Sequence, residues 1–137
     1  MGKIDLKGVL VGGLVAGVVL NVIDYLAYGV VFARDFPLPE GGTFFGIPLP
    51  AWFVVVDFLF GLVLVYLYAA IRPRFGPGPR TACIAGLLMW VIVGLLHALS
   101  EAPMGTTPGR VYALAVVIGF INFPLGALAG GRFYIEP

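Results

Sequence analysis

The stretch Gly13–Val31, GLVAGVVLNVIDYLAYGVV, decides the fold class of this chain. It is an almost unbroken run of apolar residues without lysine or arginine. A helix needs about 20 such residues to cross the hydrocarbon core of a bilayer, so the stretch predicts a membrane-spanning helix. Two polar residues, Asn21 and Asp24, lie inside it, three positions apart. The same stretch therefore raises the question of what these two side chains do in lipid.

The rest of the chain repeats this apolar pattern. Of its 137 residues, 61% are hydrophobic and 11% are charged, and the mean hydropathy is +1.05, which excludes an ordinary soluble domain. Backbone groups in lipid must be hydrogen-bonded within their own element, so long apolar blocks form helices. Four blocks lack lysine and arginine: 8–32, 51–71, 81–100 and 111–131. They predict an all-α, four-transmembrane-helix bundle in a single integral membrane domain, 1–137.

The basic residues predict how the bundle sits in the membrane. Two of them, Arg34 and Arg110, fall on one side, and six fall on the other: Lys3, Lys7, Arg72, Arg74, Arg80 and Arg132. Because cytoplasmic loops carry the excess of lysine and arginine, both termini and the 72–80 loop are predicted to be cytoplasmic. There is no basic patch outside these flanks, so nucleic acid is excluded as a partner. The lone Cys83 excludes an intrachain disulfide.

A weak internal likeness relates the first and third blocks. AGVVLNVI at 16–23 resembles AGLLMWVI at 85–92, and both helices run in the same direction. The likeness is consistent with a parallel two-helix repeat.

Polar residues recur at a common depth in these predicted helices. At 1.5 Å per residue, Asp24 lies about 12 Å below the outer surface and Asp57 about 9 Å below it. The full set of candidate ligand-binding residues, all in the outer half or at its rim, is Asn21, Asp24, Asp57, His97, Glu101 and Asn122. We expect these side chains to converge on a pocket that opens toward the outside.

The glycines predict that these polar residues point inward. Gly13 and Gly17 precede Asn21 and Asp24 at helical spacing, and Asp57, His97 and Asn122 likewise share a face with glycines of their own helices. Glycine stripes mark the faces on which membrane helices approach closely. Such faces are candidates for packing within the bundle and for a homo-oligomer or a larger membrane complex.

The two aspartates need an explanation, because a charged Asp at the bilayer centre costs about 3 kcal/mol on insertion scales. Three explanations are open. The carboxyls are protonated, a cation or metal ion lies between them, or Arg34 and Arg110 reach in from the outer rim. His97 is also a candidate to share a proton with one carboxyl. Pro124, within the fourth block, predicts either a simple kink or a freed carbonyl beside Asn122.

Three functions from different classes fit this pattern. The first is a small binding or accessory protein whose pocket holds a ligand, an ion or a partner helix. The second is a metal-dependent membrane enzyme with Asp24, Asp57, His97 and Glu101 as ligands of a divalent metal such as Zn, Fe or Mn. A haem or related pigment on His97 is a further cofactor hypothesis. The third is a proton- or ion-conducting oligomer.

Two segments resemble a known kind of protein. GGLVAGVVLNVIDYLAYGVV (12–31) and YAAIRPRFGPGPRTACIAGL (68–87) look like segments of small uncharacterised four-helix bacterial inner-membrane proteins. The turn AIRPRFGPGPRTA is the most specific part of this likeness, which covers about the first two-thirds of the chain. The resemblance implies a bacterial inner-membrane location and the same topology, and it implies no activity.

Overall fold

The computed structural model describes residues 3–135, and it contains four long helical spans. Each span is long and apolar enough to cross a bilayer, so the predicted all-α four-helix bundle is confirmed and the chain is a multi-pass membrane protein. The spans are Leu6–Val31, Leu49–Phe75, Pro79–Met104 and Gly109–Arg132.

Two of the four spans are not α-helical throughout. The first is α1 (Leu6–Leu26) followed by a π-helical segment, Ala27–Val31. The third is α3 (Pro79–Met89), a π-helical segment (Trp90–Leu95), α4 (Leu96–Glu101) and a 3-10 turn, Ala102–Met104. The second and fourth spans are the single helices α2 (Leu49–Phe75) and α5 (Gly109–Arg132).

The helix ends lie close to the predicted ones, except that the second and third spans each end four residues later than predicted. Asp5 caps α1 because its carboxylate accepts a hydrogen bond from the Lys7 backbone N–H at 3.2 Å. At its C-terminal end α2 continues four residues past the predicted end at 71, to Phe75. The predicted end lies just before the first arginine, Arg72. Charged residues are excluded only from the part of a helix that lies in hydrocarbon, so the helix itself can continue past them. Basic residues in a last turn in fact suit the negative end of a helix.

The connection between α2 and α3 is the tight turn that its Gly-Pro alternation predicts. Only residues 76–78 separate the two helices, and Gly76 and Gly78 have backbone φ angles of 86° and 117°. These φ values are available to glycine at little cost. The Gly78 N–H donates to the Tyr68 hydroxyl at 3.1 Å, which ties the turn back to α2.

The first outer loop, 32–48, is called outer after its predicted side of the membrane, and it contains a small β-hairpin. Its strands β1 (Thr43–Phe44) and β2 (Ile47–Pro48) pair antiparallel, and Phe45 and Gly46 form the turn, both with positive φ. The ring of Phe44 packs edge-on against Trp52 at the start of α2, with 4.8 Å between ring centroids. Arg110 joins the two outer connections, because its Nε lies 3.1 Å from Asp35 Oδ1.

Glycines set the closest helix contacts, as predicted. A Cβ added to Gly61 of α2 would lie 2.5 Å from both the Gly13 carbonyl oxygen and the Gly17 nitrogen of α1. A Cβ on Gly130 of α5 would lie 2.6 Å from the carbonyl oxygen of Gly12. The predicted glycine faces are thus used between helices of one chain, where only hydrogen in place of a side chain permits such an approach.

A third close contact joins α3 to α5 and involves Pro124. A Cβ on Gly86 would lie 2.5 Å from the Pro124 Cα, so glycine and proline meet where the two helices cross. Pro124 lies within α5, which continues on both sides of it. The buried core of the bundle is built from small and aliphatic side chains around these crossings, including Ala16, Leu20, Leu64, Val65 and Ala127. In contrast, neither π-helical segment contains a fully buried residue.

Candidate functional site

Asp24 and Asp57 face each other between the first two spans. Asp24 lies near the outer end of α1, Asp57 lies in the outer part of α2, and their carboxyl groups are within hydrogen-bonding reach of one another. Two bare carboxylates in this arrangement repel, so a proton or another cation must be held between them. Both side chains are half-buried. The two side chains therefore lie near each other, while their depth in the membrane stays a prediction.

Asn122 of α5 approaches the pair from the bundle interior. Its Nδ2 donates to Asp24 Oδ1 at 2.6 Å, which joins the first and fourth spans across the core. Asn122 is 3% exposed, and its Oδ1 accepts no hydrogen bond from any residue within 3–135. Buried polar atoms are normally satisfied, so this oxygen is an exception within the described part of the chain.

Asn21 links the first two spans one turn further inward. Its Nδ2 donates to the Gly17 carbonyl of its own helix at 2.9 Å and to the Val54 carbonyl of α2 at 3.3 Å. The amide thus links the two helices through their backbone carbonyls.

The first two spans and the loop between them line a cleft of about 540 Å³, which we call the aspartate cleft. Three of its residues are the predicted Asn21, Asp24 and Asp57, and two more, Phe36 and Leu38, come from the outer loop. The remaining walls are aromatic or apolar: Tyr25, Tyr28, Gly29, Pro50, Phe53, Val54, Val56 and Phe60. A volume of this size suits a small organic ligand.

His97 and Glu101 do not join the other predicted site residues. His97 Nε2 lies 3.8 Å from Glu101 Oε1, and the two side chains are 61% and 52% exposed. Neither residue lines the aspartate cleft. The expectation that His97 shares the inward face of its helix is therefore wrong, and so is the expectation that it shares a proton with Asp24 or Asp57.

The π-helical segment explains why His97 turns outward. Ala85, Gly86 and Met89 form the buried face of α3, and uniform α-helical spacing from Gly86 brings that face to His97, eleven residues on. A π-bulge accommodates one extra residue in the helix. The inward position therefore moves from His97 to Ala98, which is the buried residue of α4.

The four predicted metal ligands are consequently split into two pairs. Among residues 3–135, no three side chains of the types His, Cys, Asp and Glu lie close enough together to hold a metal ion. Arg110, another predicted partner of the aspartates, pairs with Asp35 in the outer loop instead. Arg34 is exposed in the same loop.

Sequence reasoning missed two features of the molecule. The aromatic lining of the aspartate cleft was one, although Tyr28 lies four residues after Asp24, a spacing that puts two residues on one helix face. The other lies at the opposite end of the bundle, where the Arg72 guanidinium stacks on Tyr68 and Tyr134 at 5.6 and 5.2 Å from the ring centroids. Arg72 was predicted only as a topology signal. Its spacing of four from Tyr68 was the available clue, because residues four apart meet on one helix face.

The chain matches no protein-family profile, no curated protein and no solved structure.

Proposed function

We propose that this chain is a small integral membrane binding protein and that the aspartate cleft holds its ligand. The observation that carries the proposal is the cleft itself, because two carboxyl groups and an amide lie at one side of a largely apolar cavity between two membrane spans. Ionisable residues inside a membrane mark functional sites by default. Apolar walls with a few polar groups are the usual composition of a small-molecule site.

The exposure of the cleft residues supports access from the lipid. Tyr25, Phe53 and Val54 are 67%, 47% and 45% exposed on the outside of the bundle, and Phe36 and Leu38 of the outer loop also line the cleft. A ligand that is dissolved in the bilayer would reach the carboxyl groups sideways, between the first two spans. The pocket predicted to open outward is therefore proposed to open toward the outer leaflet.

The orientation is part of the same proposal. Six of the eight lysines and arginines lie at the end that carries the 76–78 turn, so we place that end and both termini in the cytoplasm. The resemblance to bacterial inner-membrane proteins extends the proposal to that membrane. Neither the metal-enzyme nor the conducting-oligomer hypothesis has a specific observation in its favour within residues 3–135.

A variant that fills the cleft with a larger side chain tests the proposed function. Purified protein in phosphatidylcholine nanodiscs is irradiated with a long-chain alcohol that carries a diazirine, and the labelled peptides are identified by mass spectrometry. We expect label on the first span around Tyr25 and Gly29 and on α2 around Phe53. Val54→Trp should fill the cleft and reduce the amount of label on these peptides by about tenfold. A tenfold loss of affinity corresponds to about 1.4 kcal/mol of binding free energy.

Val55→Trp is the matched control. Val55 is the next residue along α2, is 46% exposed and does not line the cleft. It should leave the label at the wild-type level. Equal labelling of the wild type and of Val54→Trp would contradict the proposed function.

A further inference from the structure

We infer that the ligand of the aspartate cleft is a single-chain amphiphile with a primary ammonium group. This inference rests on the proposed function and specifies its ligand class. Two features of the cleft point to such a molecule, an uncompensated acidic pair and aromatic walls, and the hydrogen-bonding capacity of the headgroup favours a primary ammonium.

The first feature is the charge of the acidic pair. When Asp24 and Asp57 share one proton, the pair retains one negative charge below the membrane surface. No lysine or arginine lies within 8–32 or 51–71, and Arg110 is engaged by Asp35. The described part of the chain thus offers the pair no cationic side chain, and a ligand cation would fill this role. An ionised carboxylate in a water-poor site binds an ammonium group through a strong, charge-assisted hydrogen bond.

The second feature is the aromatic lining around the carboxyl groups. Five aromatic rings line the cleft: Tyr25, Tyr28, Phe36, Phe53 and Phe60. Tyr28 and Phe36 are packed edge to face with their centroids 4.6 Å apart, so this part of the wall is ordered by its own contacts. Aromatic rings attract cations through their π faces and also provide apolar surface for an alkyl chain. Carboxyl groups within aromatic walls favour a cation with an apolar body over a neutral or anionic lipid.

The hydrogen-bonding capacity of the headgroup favours a primary ammonium. A primary ammonium has three N–H donors, which is more than one carboxylate oxygen uses. The remaining donors suit the second carboxyl group of the pair, because Asp24 and Asp57 both line the cleft. Asn122 donates to Asp24 from the bundle interior and does not itself line the cleft. A quaternary ammonium has no N–H and would make no hydrogen bond to either carboxyl group.

The size of the cleft selects a single-chain ligand. Its volume of about 540 Å³ falls within the range of sites for drug-sized molecules. A transmembrane helix of a partner protein has a diameter of about 10 Å with its side chains and crosses the whole bilayer, so it does not fit. A phospholipid with two acyl chains and a phosphate group is also larger than such a site.

The inference is tested by comparing dodecylamine with dodecanol, which differ in the charged headgroup. Displacement of the diazirine alcohol is measured in phosphatidylcholine nanodiscs with wild-type protein. We expect dodecylamine to compete about tenfold better than dodecanol, as one additional charge-assisted hydrogen bond would give. Asp24→Asn and Asp57→Asn should each remove this preference and keep the labelling by the neutral probe. Glu101→Gln, which changes an acid outside the cleft, should retain the preference.

The outcomes separate this inference from the proposed function. Equal competition by the two compounds, with the label still lost in Val54→Trp, would overturn the ammonium inference and leave a cleft that binds neutral amphiphiles. Stronger competition by phosphatidylethanolamine than by dodecylamine would overturn the single-chain assignment. Retained labelling in the Asp→Asn variants shows that the cleft is still formed, so a lost preference cannot be ascribed to unfolding.

Discussion

Asp24 interacts with polar side chains from two other spans of this membrane protein. It faces Asp57 from the second span and accepts a hydrogen bond from Asn122 of the fourth. In lipid, a polar side chain without a partner is costly, and partners from other helices reduce that cost. The contacts of this one carboxyl thus join three spans in the outer half of the bundle.

A double-mutant cycle measures the Asp24–Asn122 contact. We expect Asp24→Ala and Asn122→Ala to be coupled by about 1 kcal/mol, the order found for hydrogen bonds between membrane helices. The quantity to measure is the free energy of unfolding of the wild type, the two single variants and the double variant in mixed micelles. The short 2.6 Å separation and the burial of Asn122 favour a coupling at or above that average.

The control cycle combines Asn122→Ala with Asp35→Ala. Asp35 is paired with Arg110 in the outer loop, so the two changes should be additive within about 0.5 kcal/mol. Additivity in the Asp24–Asn122 cycle as well would mean that the contact contributes no net stability.

At the scale of the helical element, the π-helical segment of the third span decides which residues reach the interior. Trp90–Leu95 shifts the inward face by one position, so Ala98 is buried and His97 is exposed. Trp90 also anchors this segment, because its Nε1 donates to the Val116 carbonyl of α5 at 2.8 Å. The same local change removes the histidine from the acidic pair and thereby separates the four predicted metal ligands.

Cysteine reactivity tests this shift directly. In a Cys83→Ser background, His97→Cys should react with a small methanethiosulfonate about tenfold faster than Ala98→Cys, because thiol reactivity follows exposure. The rates are measured in detergent by mass spectrometry. A uniform α-helix through this region would reverse the order of the two rates.

At the scale of the whole molecule, the sequence predicted the architecture because length and hydropathy are sufficient to define membrane helices. The four apolar blocks became the four spans, and the glycines of α1, α2 and α5 became their contact points. The facing aspartates were also predictable, since depth follows from counting residues and the face follows from helical spacing. The parallel two-helix repeat and the single-domain assignment stay predictions.

The features that the sequence did not predict arise where the chain departs from a uniform α-helix. The outward orientation of His97 follows from a π-helical segment, and a run of apolar residues does not indicate where such a segment forms. The contribution of the outer loop to the aspartate cleft depends on how residues 32–48 fold, which brings Phe36 and Leu38 to the cleft. Such loop contacts are non-local, and no periodic pattern encodes them.

The central claim is that side chains from separate spans meet at one place, and one crosslinking measurement tests it most directly. Asp24→Cys and Asp57→Cys are combined in a Cys83→Ser background, treated in membranes with a short bifunctional thiol reagent, and analysed as proteolytic fragments. We expect a crosslink between the first and second spans for this pair and none for Asp57→Cys with His97→Cys. A crosslink to position 97, or none between positions 24 and 57, would contradict the account.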